Sequence, residues 1–176
     1  AAGGVGSILV QWAKALGATV IATVGSEAKA ALARGHGADH VILYGEEDVA
    51  AQVAEITGGQ GVAVVYDGVG KDTFETSLKS LGRRGVLATF GNASGPAPAI
   101  APLELGAKSL FLTRPRLFDY IATTTELDES AAALFAVLAS GAVKIEVGQT
   151  FPLAQARAAH EALEGRRTTG ATLLIP

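Results

Sequence analysis

The chain of 176 residues opens with a glycine cluster, AAGGVG at residues 1–6, that leads directly into a helical pattern over residues 7–16. Such a turn lets backbone N–H groups approach an anion with no Cβ in the way, and the helix adds the positive end of its dipole. Gly4 and Val5 are in position to offer those N–H groups. Glycines can also serve only a tight turn, so the meaning of the cluster depends on the pattern of the later residues.

A phosphate-binding turn of this kind normally comes after a β-strand, whereas no strand pattern precedes residues 1–6 here. We therefore expect the chain to start inside a nucleotide-binding motif and to be a piece of a larger enzyme.

The rest of the chain alternates apolar segments of strand length with helical patterns. The strand patterns lie at residues 19–24, 41–44, 62–67, 85–90 and 109–113, and the helical ones at 27–34, 48–56, 73–81 and 130–140. This alternation of strand and helix patterns predicts an α/β fold over residues 1–144. The fold would be a Rossmann-type doubly wound parallel sheet that lacks its first strand. A strand–helix–strand pattern closes the chain, and we expect residues 145–176 to be a return segment toward an absent N-terminal domain.

Composition excludes several classes of function. The net charge of −3 gives no basic footprint for nucleic acid, and no apolar run approaches the about 18 residues of a membrane span. The chain has no cysteine, so it holds no disulfide and no Cys-based zinc site, which fits the cytoplasm. His36, His40 and His160 lack metal-ligand spacing and are predicted to be surface or loop residues.

The strand at residues 19–24 ends where the sequence bears on cofactor choice. An NAD-preferring fold usually has Asp or Glu here, whereas this chain has Gly25 and Ser26. That leaves room for a 2′-phosphate, with Lys29 one helical turn later as a cation, although Glu27 would repel a phosphate if it pointed inward. Lys29 could also be a solvated helix residue. Tyr44, after the next strand, either flanks an adenosine or has a structural role.

Two later strand ends carry glycines at the edge where a doubly wound sheet binds its ligand. Gly68 comes after one of these strands, and Phe90, Gly91 and Asn92 end or follow the other. Glycine here lets the backbone approach a cofactor, and Asn92 could hydrogen-bond a carboxamide or a ribose. Turn formation alone would also account for these residues.

Taken together, these stretches resemble the cofactor half of the NADPH:quinone reductases, the zeta-crystallin-like branch of the zinc-independent medium-chain dehydrogenases/reductases. The resemblance covers nearly the whole chain. The stretches that carry it are AAGGVG (1–6), QWAKALGA (11–18), TVGSEAK (23–29), EITGGQGVAVVYDGVGKDT (55–73), FGNASG (90–95), LTRP (112–115) and RAAHEALEGRRTTGATLLIP (157–176).

The resemblance implies a role for each part of the NADPH-binding surface. Gly4 and Val5 would contact the pyrophosphate. Residues 25–29, with Lys29 as the charged partner, would surround the 2′-phosphate beside Tyr44. Residues 90–96 would approach the nicotinamide.

Two further positions enter through the resemblance. Arg166 matches a C-terminal arginine that contacts the cofactor in close relatives. Gly68 departs from the family pattern, because close relatives can carry serine there. No residue has the setting of an essential acid or base, so the predicted catalytic set is empty, and no metal ligand is predicted.

The implied activity is hydride transfer from NADPH to a quinone, by the protein of which this chain is the cofactor-binding part. One alternative is an enoyl-thioester or alkenal reductase of the same superfamily, whose substrate is an activated alkene. Another is that the isolated chain is a nucleotide-binding module without catalysis. The resemblance also implies a homodimer through the strand at residues 110–113.

Overall fold

The computed structural model describes residues 1–176 and consists of eight α-helices and seven β-strands that alternate along most of the chain. The helices are α1 (Gly4–Ala15), α2 (Glu27–Gly35), α3 (Val49–Ile56), α4 (Phe74–Ser80), α5 (Pro102–Gly106), α6 (Leu117–Tyr120), α7 (Thr124–Ala139) and α8 (Ala156–Glu164). The strands are β1 (Ile21–Val24), β2 (His40–Leu43), β3 (Val62–Asp67), β4 (Leu81–Thr89), β5 (Phe111–Thr113), β6 (Val147–Pro152) and β7 (Ala171–Ile175). Every strand pair is parallel, and the predicted α/β class is confirmed.

The strands form three parallel ladders, which are β1–β2, β3–β4–β5 and β6–β7. A doubly wound sheet has the strand order 3-2-1-4-5-6. The first two ladders match the 3-2 and 4-5-6 parts of that order.

One compact unit comprises residues 1–47 and 128–176. Its core lies where α2 packs on β1 and β2, and alanines allow this close approach: Ala30 and Ala33 are completely buried, beside Ala22 and Val24 of β1. In the same unit, β6 and β7 are joined through α8, and Gly3 forms an isolated parallel bridge with Gly170.

The second compact unit comprises residues 48–127. Phe74 of α4 and Leu81 and Leu87 of β4 form its buried core. The strand β3 lies at the edge of its three-stranded ladder, so Val64 and Tyr66 are 42% and 57% exposed although the segment is almost entirely apolar. Burial within this strand therefore depends on its place in the ladder and not on its sequence alone.

Two element boundaries differ from the sequence-based expectation. Strand β4 begins at Leu81, before residue 85, because Leu81 already pairs with Val62. Helix α7 begins at Thr124, before residue 130, and the reason is a capping box. The Glu126 N–H donates to Thr123 Oγ1, and the Glu126 carboxylate accepts from the N–H and the hydroxyl of Thr123. None of the helices combines the length and the apolar character that a membrane span requires.

An ion pair ties α1 to the segment before β2. The Asp39 carboxylate accepts hydrogen bonds from Lys14 Nζ at 2.8 Å and from the Val20 N–H at 2.7 Å. The hydrogen bond from Lys14, followed by that from Val20, lowers the pKa of Asp39 below its ordinary value. A carboxyl group whose pKa is lower in the folded state stabilises the fold above its unfolded pKa, and this contribution is lost as the pH falls through the folded pKa.

We expect Asp39→Asn to lower the melting temperature modestly at pH 7, because the charge-assisted bond to Lys14 is lost. The difference from the wild type should disappear as the pH falls below the folded pKa of Asp39. Thermal unfolding followed by circular dichroism from pH 7 down to pH 2 measures this. Asp128→Asn, at an exposed position whose side chain forms no hydrogen bond or ion pair, is the control. A pH-independent difference for Asp39→Asn would contradict the linkage.

Candidate functional site

The N-terminus of α1 has the properties of an anion site. Its N-cap residue is Gly3, no side chain caps it, and its first turn contains no acidic residue. Val5 is 64% exposed, while Ser7 is buried and donates its hydroxyl proton to the Gly4 carbonyl. The helix end is therefore open and carries no negative side chain that would oppose a phosphate.

Gly25 and Tyr44, which come after the neighbouring strands β1 and β2, are in contact. A Cβ placed on Gly25 would lie 2.5 Å from the Tyr44 hydroxyl oxygen, so the tyrosine ring covers a position that only glycine leaves free. The ring is 44% exposed, and its hydroxyl makes no hydrogen bond within the protein. Tyr44 therefore presents a free phenol at the end of β2.

Lys29 lies beside Arg166, 137 residues further along the chain. The Lys29 ammonium donates to the Arg166 carbonyl at 2.7 Å, and Ser26 caps α2 by accepting from the Lys29 N–H. Arg166 has a left-handed backbone with φ +56°, and its guanidinium forms neither a hydrogen bond nor an ion pair. Two cationic residues thus come from opposite ends of the sequence to one place in the first unit.

The side chain of Glu27 does not oppose this cationic cluster. Its carboxylate pairs with Arg34 at 2.6 Å, further along α2. This pairing weakens the repulsion that the sequence left possible, since Arg34 partly neutralises the negative charge of Glu27.

In the second unit, Asp67 at the end of β3 is a buried hydrogen-bond centre that was not among the residues expected to form the site. Its carboxylate accepts from the N–H groups of Val69 and Gly70 and from the hydroxyls of Thr73 and Ser77, all at 2.7–3.0 Å. The side chain is 4% exposed. The signal in the sequence is an Asp followed at positions +6 and +10 by hydroxyl residues on a predicted helix.

Gly68, Phe90 and Gly91 pack against each other next to Asp67. A Cβ on Gly91 would overlap the Gly68 carbonyl oxygen, so the two backbones approach as closely as they can. The Phe90 ring lies over Gly68, where a Cβ would be 3.0 Å from the Phe90 Cζ atom. Any larger residue at position 68 would press on the ring, so glycine there suits Phe90. Asn92, the next predicted site residue, is exposed.

A cavity of about 280 Å³ lies at the ends of β4 and β5 in the second unit. Its lining combines aromatic, aliphatic and polar residues: Phe74, Thr89, Asn92, Pro96, Ala97, Pro98, Leu112 and Arg114. Arg114 donates from Nη1 to the Thr89 carbonyl at 2.7 Å, and the buried Thr89 hydroxyl has no partner. The sequence pattern alone gives Arg114 no role, because the cavity depends on contacts between distant segments.

His36 lies in the turn after α2, in line with the predicted surface or loop position, although its side chain is largely buried. Its side chain is only 8% exposed, and Nε2 lies 3.2 Å from a Glu146 carboxylate oxygen, although neither ring nitrogen forms a hydrogen bond of good geometry. His40 and His160 are exposed, as expected. The structure contains no group of three or more His, Asp or Glu side chains that could hold a metal ion.

Comparison with known proteins places these features in a family. The family described as zinc-binding dehydrogenase matches residues 4–148. The chain is 54% identical to a quinone oxidoreductase of Salmonella typhimurium and 49% identical to a 2-haloacrylate reductase of a Burkholderia species. Each match covers the whole chain but only 55% and 54% of those proteins, so the chain spans about half the length of these relatives.

Solved structures give the same result. An Escherichia coli quinone oxidoreductase in complex with NADPH is 52% identical, with a TM-score of 0.94 over 99% of this chain and 55% of that one. A mycobacterial protein in complex with NADPH is 50% identical, with a TM-score of 0.95 over the same shares. The predicted resemblance to the cofactor half of quinone reductases is confirmed.

We expect Gly91→Ala to destabilise the second unit by about 1–3 kcal/mol or more, because the added methyl group overlaps the Gly68 carbonyl oxygen. Gly106→Ala is the matched control: nothing lies near its added Cβ, and the change should be neutral or slightly stabilising in α5. Urea unfolding of the two variants compares them. Equal stability of the two variants would show that the close backbone approach is not a constraint.

Proposed function

The chain belongs to the zinc-binding dehydrogenase family, and we propose that it is the NADPH-binding part of an oxidoreductase that passes a hydride to a quinone. The observation that carries the proposal is the cationic cluster of the first unit, where Lys29 bonds to the Arg166 carbonyl beside Ser26. Relatives that are 50% and 52% identical to this chain have been solved with NADPH.

The first unit is proposed to bind the adenosine and phosphate groups of the cofactor. The open N-terminus of α1, with Gly4 and Val5, suits the pyrophosphate. Lys29 and the unpaired guanidinium of Arg166 suit the 2′-phosphate, which is dianionic near neutral pH and absent from NADH.

Gly25 and Tyr44 complete the proposed site of the first unit. Glycine at position 25 removes the carboxylate that would otherwise bind a ribose hydroxyl and repel the phosphate. The free phenol of Tyr44 can donate a hydrogen bond to a phosphate oxygen.

The second unit is proposed to bind the nicotinamide end. Phe90, Gly91 and Asn92 come after a central parallel strand at its carboxyl end, where doubly wound folds bind ligands. Gly68 and Gly91 lie in close contact and have no side chains, so the backbone here is accessible to a cofactor. The ring of Phe90 is 38% exposed and offers an apolar surface. These residues would position the cofactor and exclude water, and no side chain here is proposed to exchange protons.

The residues of this chain do not fit a zinc site, although the family description includes zinc. The chain has no cysteine, and no three His, Asp or Glu side chains converge. No step of the proposed reaction passes through a metal. Bound NADPH supplies the hydride, so that a quinone and a proton become a hydroquinone while NADPH becomes NADP⁺.

A second candidate acceptor is an activated alkene. The similarity to a 2-haloacrylate reductase, at 49% identity, is nearly as high as the similarity to the quinone oxidoreductases. Both acceptors take a hydride at an electron-poor carbon, and this chain would bind the same cofactor for either.

We also propose that two copies of the chain form a dimer and that the protein is cytoplasmic. The strand β5 pairs on one side only, with β4, and Phe111 is 58% exposed, which supports pairing with a second copy through residues 110–113. The absence of cysteine supports a cytoplasmic location. We further propose that residues 145–176 are a return segment toward a second domain, since β6 and β7 form a ladder of their own.

We expect NADPH to bind more tightly than NADH, and Lys29→Ala to weaken NADPH binding by about 1–3 kcal/mol through the loss of one charged hydrogen bond. NADH binding should be unchanged, because NADH lacks the 2′-phosphate. Isothermal titration of both cofactors measures this. Lys144→Ala, an exposed lysine of the same unit, should change neither affinity. Equal weakening of both cofactors by Lys29→Ala would contradict a phosphate role.

Turnover distinguishes the two acceptors. With the protein purified in the form in which its cells make it, we expect NADPH oxidation with 1,4-benzoquinone at a higher kcat/KM than with 2-chloroacrylate or an alkenal. Absorbance at the NADPH band follows each reaction. A higher kcat/KM for the alkenes would overturn the quinone proposal in favour of the second candidate.

A further inference from the structure

We propose that Arg114 binds the carboxylate of an acidic α,β-unsaturated acceptor in the cavity of the second unit. The inference rests on the proposed function and deepens it, because it names a chemical class of acceptor and the residue that selects it. Three observations support it: the state of the arginine, the nature of the cavity wall, and the size of the cavity.

Arg114 is an exposed cation without a counterion in this chain. It comes directly after β5, and its one hydrogen bond runs from Nη1 to the Thr89 carbonyl at 2.7 Å. None of the five ion pairs of the structure includes it. A guanidinium has five N–H donors in a planar fork, so several remain for a ligand after the bond to Thr89 has fixed its orientation.

The wall opposite the charge is apolar and stiff. Phe74, which is 3% exposed, and Leu112 form part of it, and Pro96, Ala97 and Pro98 close one side. Proline restricts the backbone of that loop, so the wall loses little entropy when a ligand binds. An apolar surface beside a single cation suits a molecule with a hydrocarbon part and one anionic group.

The cavity is open to solvent on one side, and its volume suits a small ligand. At about 280 Å³ the cavity is just below the usual 300–1,000 Å³ range of ligand sites. A short unsaturated acid fits within this volume. The buried Thr89 hydroxyl, which has no partner, lies in the same wall and adds a polar group at the arginine end.

A carboxylate accounts for the arginine better than a neutral amide does. Two parallel N–H···O bonds from a guanidinium to a carboxylate are charge-assisted and shorter than neutral bonds. An amide, such as the carboxamide of nicotinamide, offers one acceptor atom and no charge, so its hydrogen bonds to the guanidinium would be weaker. The 2-haloacrylate reductase to which the chain is 49% identical has a name that denotes an unsaturated acid.

The test compares two ligands of the same shape that differ in charge. Methacrylate and methacrylamide are titrated into the protein purified in the form in which its cells make it and followed by NMR chemical shifts, with NADPH titrated separately. For the wild type we expect methacrylate to bind more tightly than methacrylamide. In Arg114→Gln the Kd of methacrylate should rise about tenfold or more, while those of methacrylamide and NADPH stay unchanged.

Two further variants keep the result interpretable. Arg114→Lys retains the charge but not the fork, and should give an intermediate Kd for methacrylate. Arg116→Gln, two residues away and outside the cavity lining, should bind like the wild type. Circular dichroism verifies that each variant is folded.

The inference would be overturned if the wild type did not bind methacrylate, or if wild type and Arg114→Gln bound methacrylate equally well. It would also be overturned if Arg114→Gln lost NADPH binding as strongly as methacrylate binding, because the arginine would then belong to the cofactor site. Failure of the proposed function is a different result. In that case the wild type does not bind NADPH, whereas methacrylate binding still depends on Arg114.

Discussion

The buried carboxylate of Asp67 is the interaction on which the second unit depends. It accepts four different donors from the turn after β3 and from the region of α4, and thereby fixes both relative to the end of β3. A buried charge is costly unless it is fully hydrogen-bonded, and this one is. Gly68 directly follows Asp67 and Phe74 directly follows Thr73, so this anchor holds the residues next to both.

The first unit is organised differently, around small residues and free cations. Ala30 and Ala33 let α2 approach β1 closely, and Gly25 leaves the position after β1 without a side chain. The pairing of Glu27 with Arg34 keeps the one nearby carboxylate engaged. The proposed preference for a phosphorylated cofactor would thus arise as much from the removal of negative charge as from the presence of Lys29.

Much of the fold could be predicted because it is encoded locally. Strand and helix patterns predicted the α/β class, and the glycine cluster predicted the start of α1 to within a few residues. The early start of α7 was missed although Thr123 and Glu126 form a recognisable capping box. The burial of His36 and the cavity around Arg114 could not be predicted, since both depend on residues more than twenty positions apart. The site residues themselves were placed by motif and resemblance, not by periodicity.

The unpaired charge of Arg114 bears on the choice between the two acceptor classes. A quinone is neutral, and its carbonyl oxygens accept one hydrogen bond each without requiring a cation. Arg114 is exposed, is held by one backbone bond beside an apolar wall, and has no counterion in this chain. An anionic ligand would form charge-assisted hydrogen bonds with its free donors, whereas a neutral ligand would form weaker ones. The arrangement therefore favours an acid at this cavity even where a quinone is reduced, and the two acceptors need not occupy the same position.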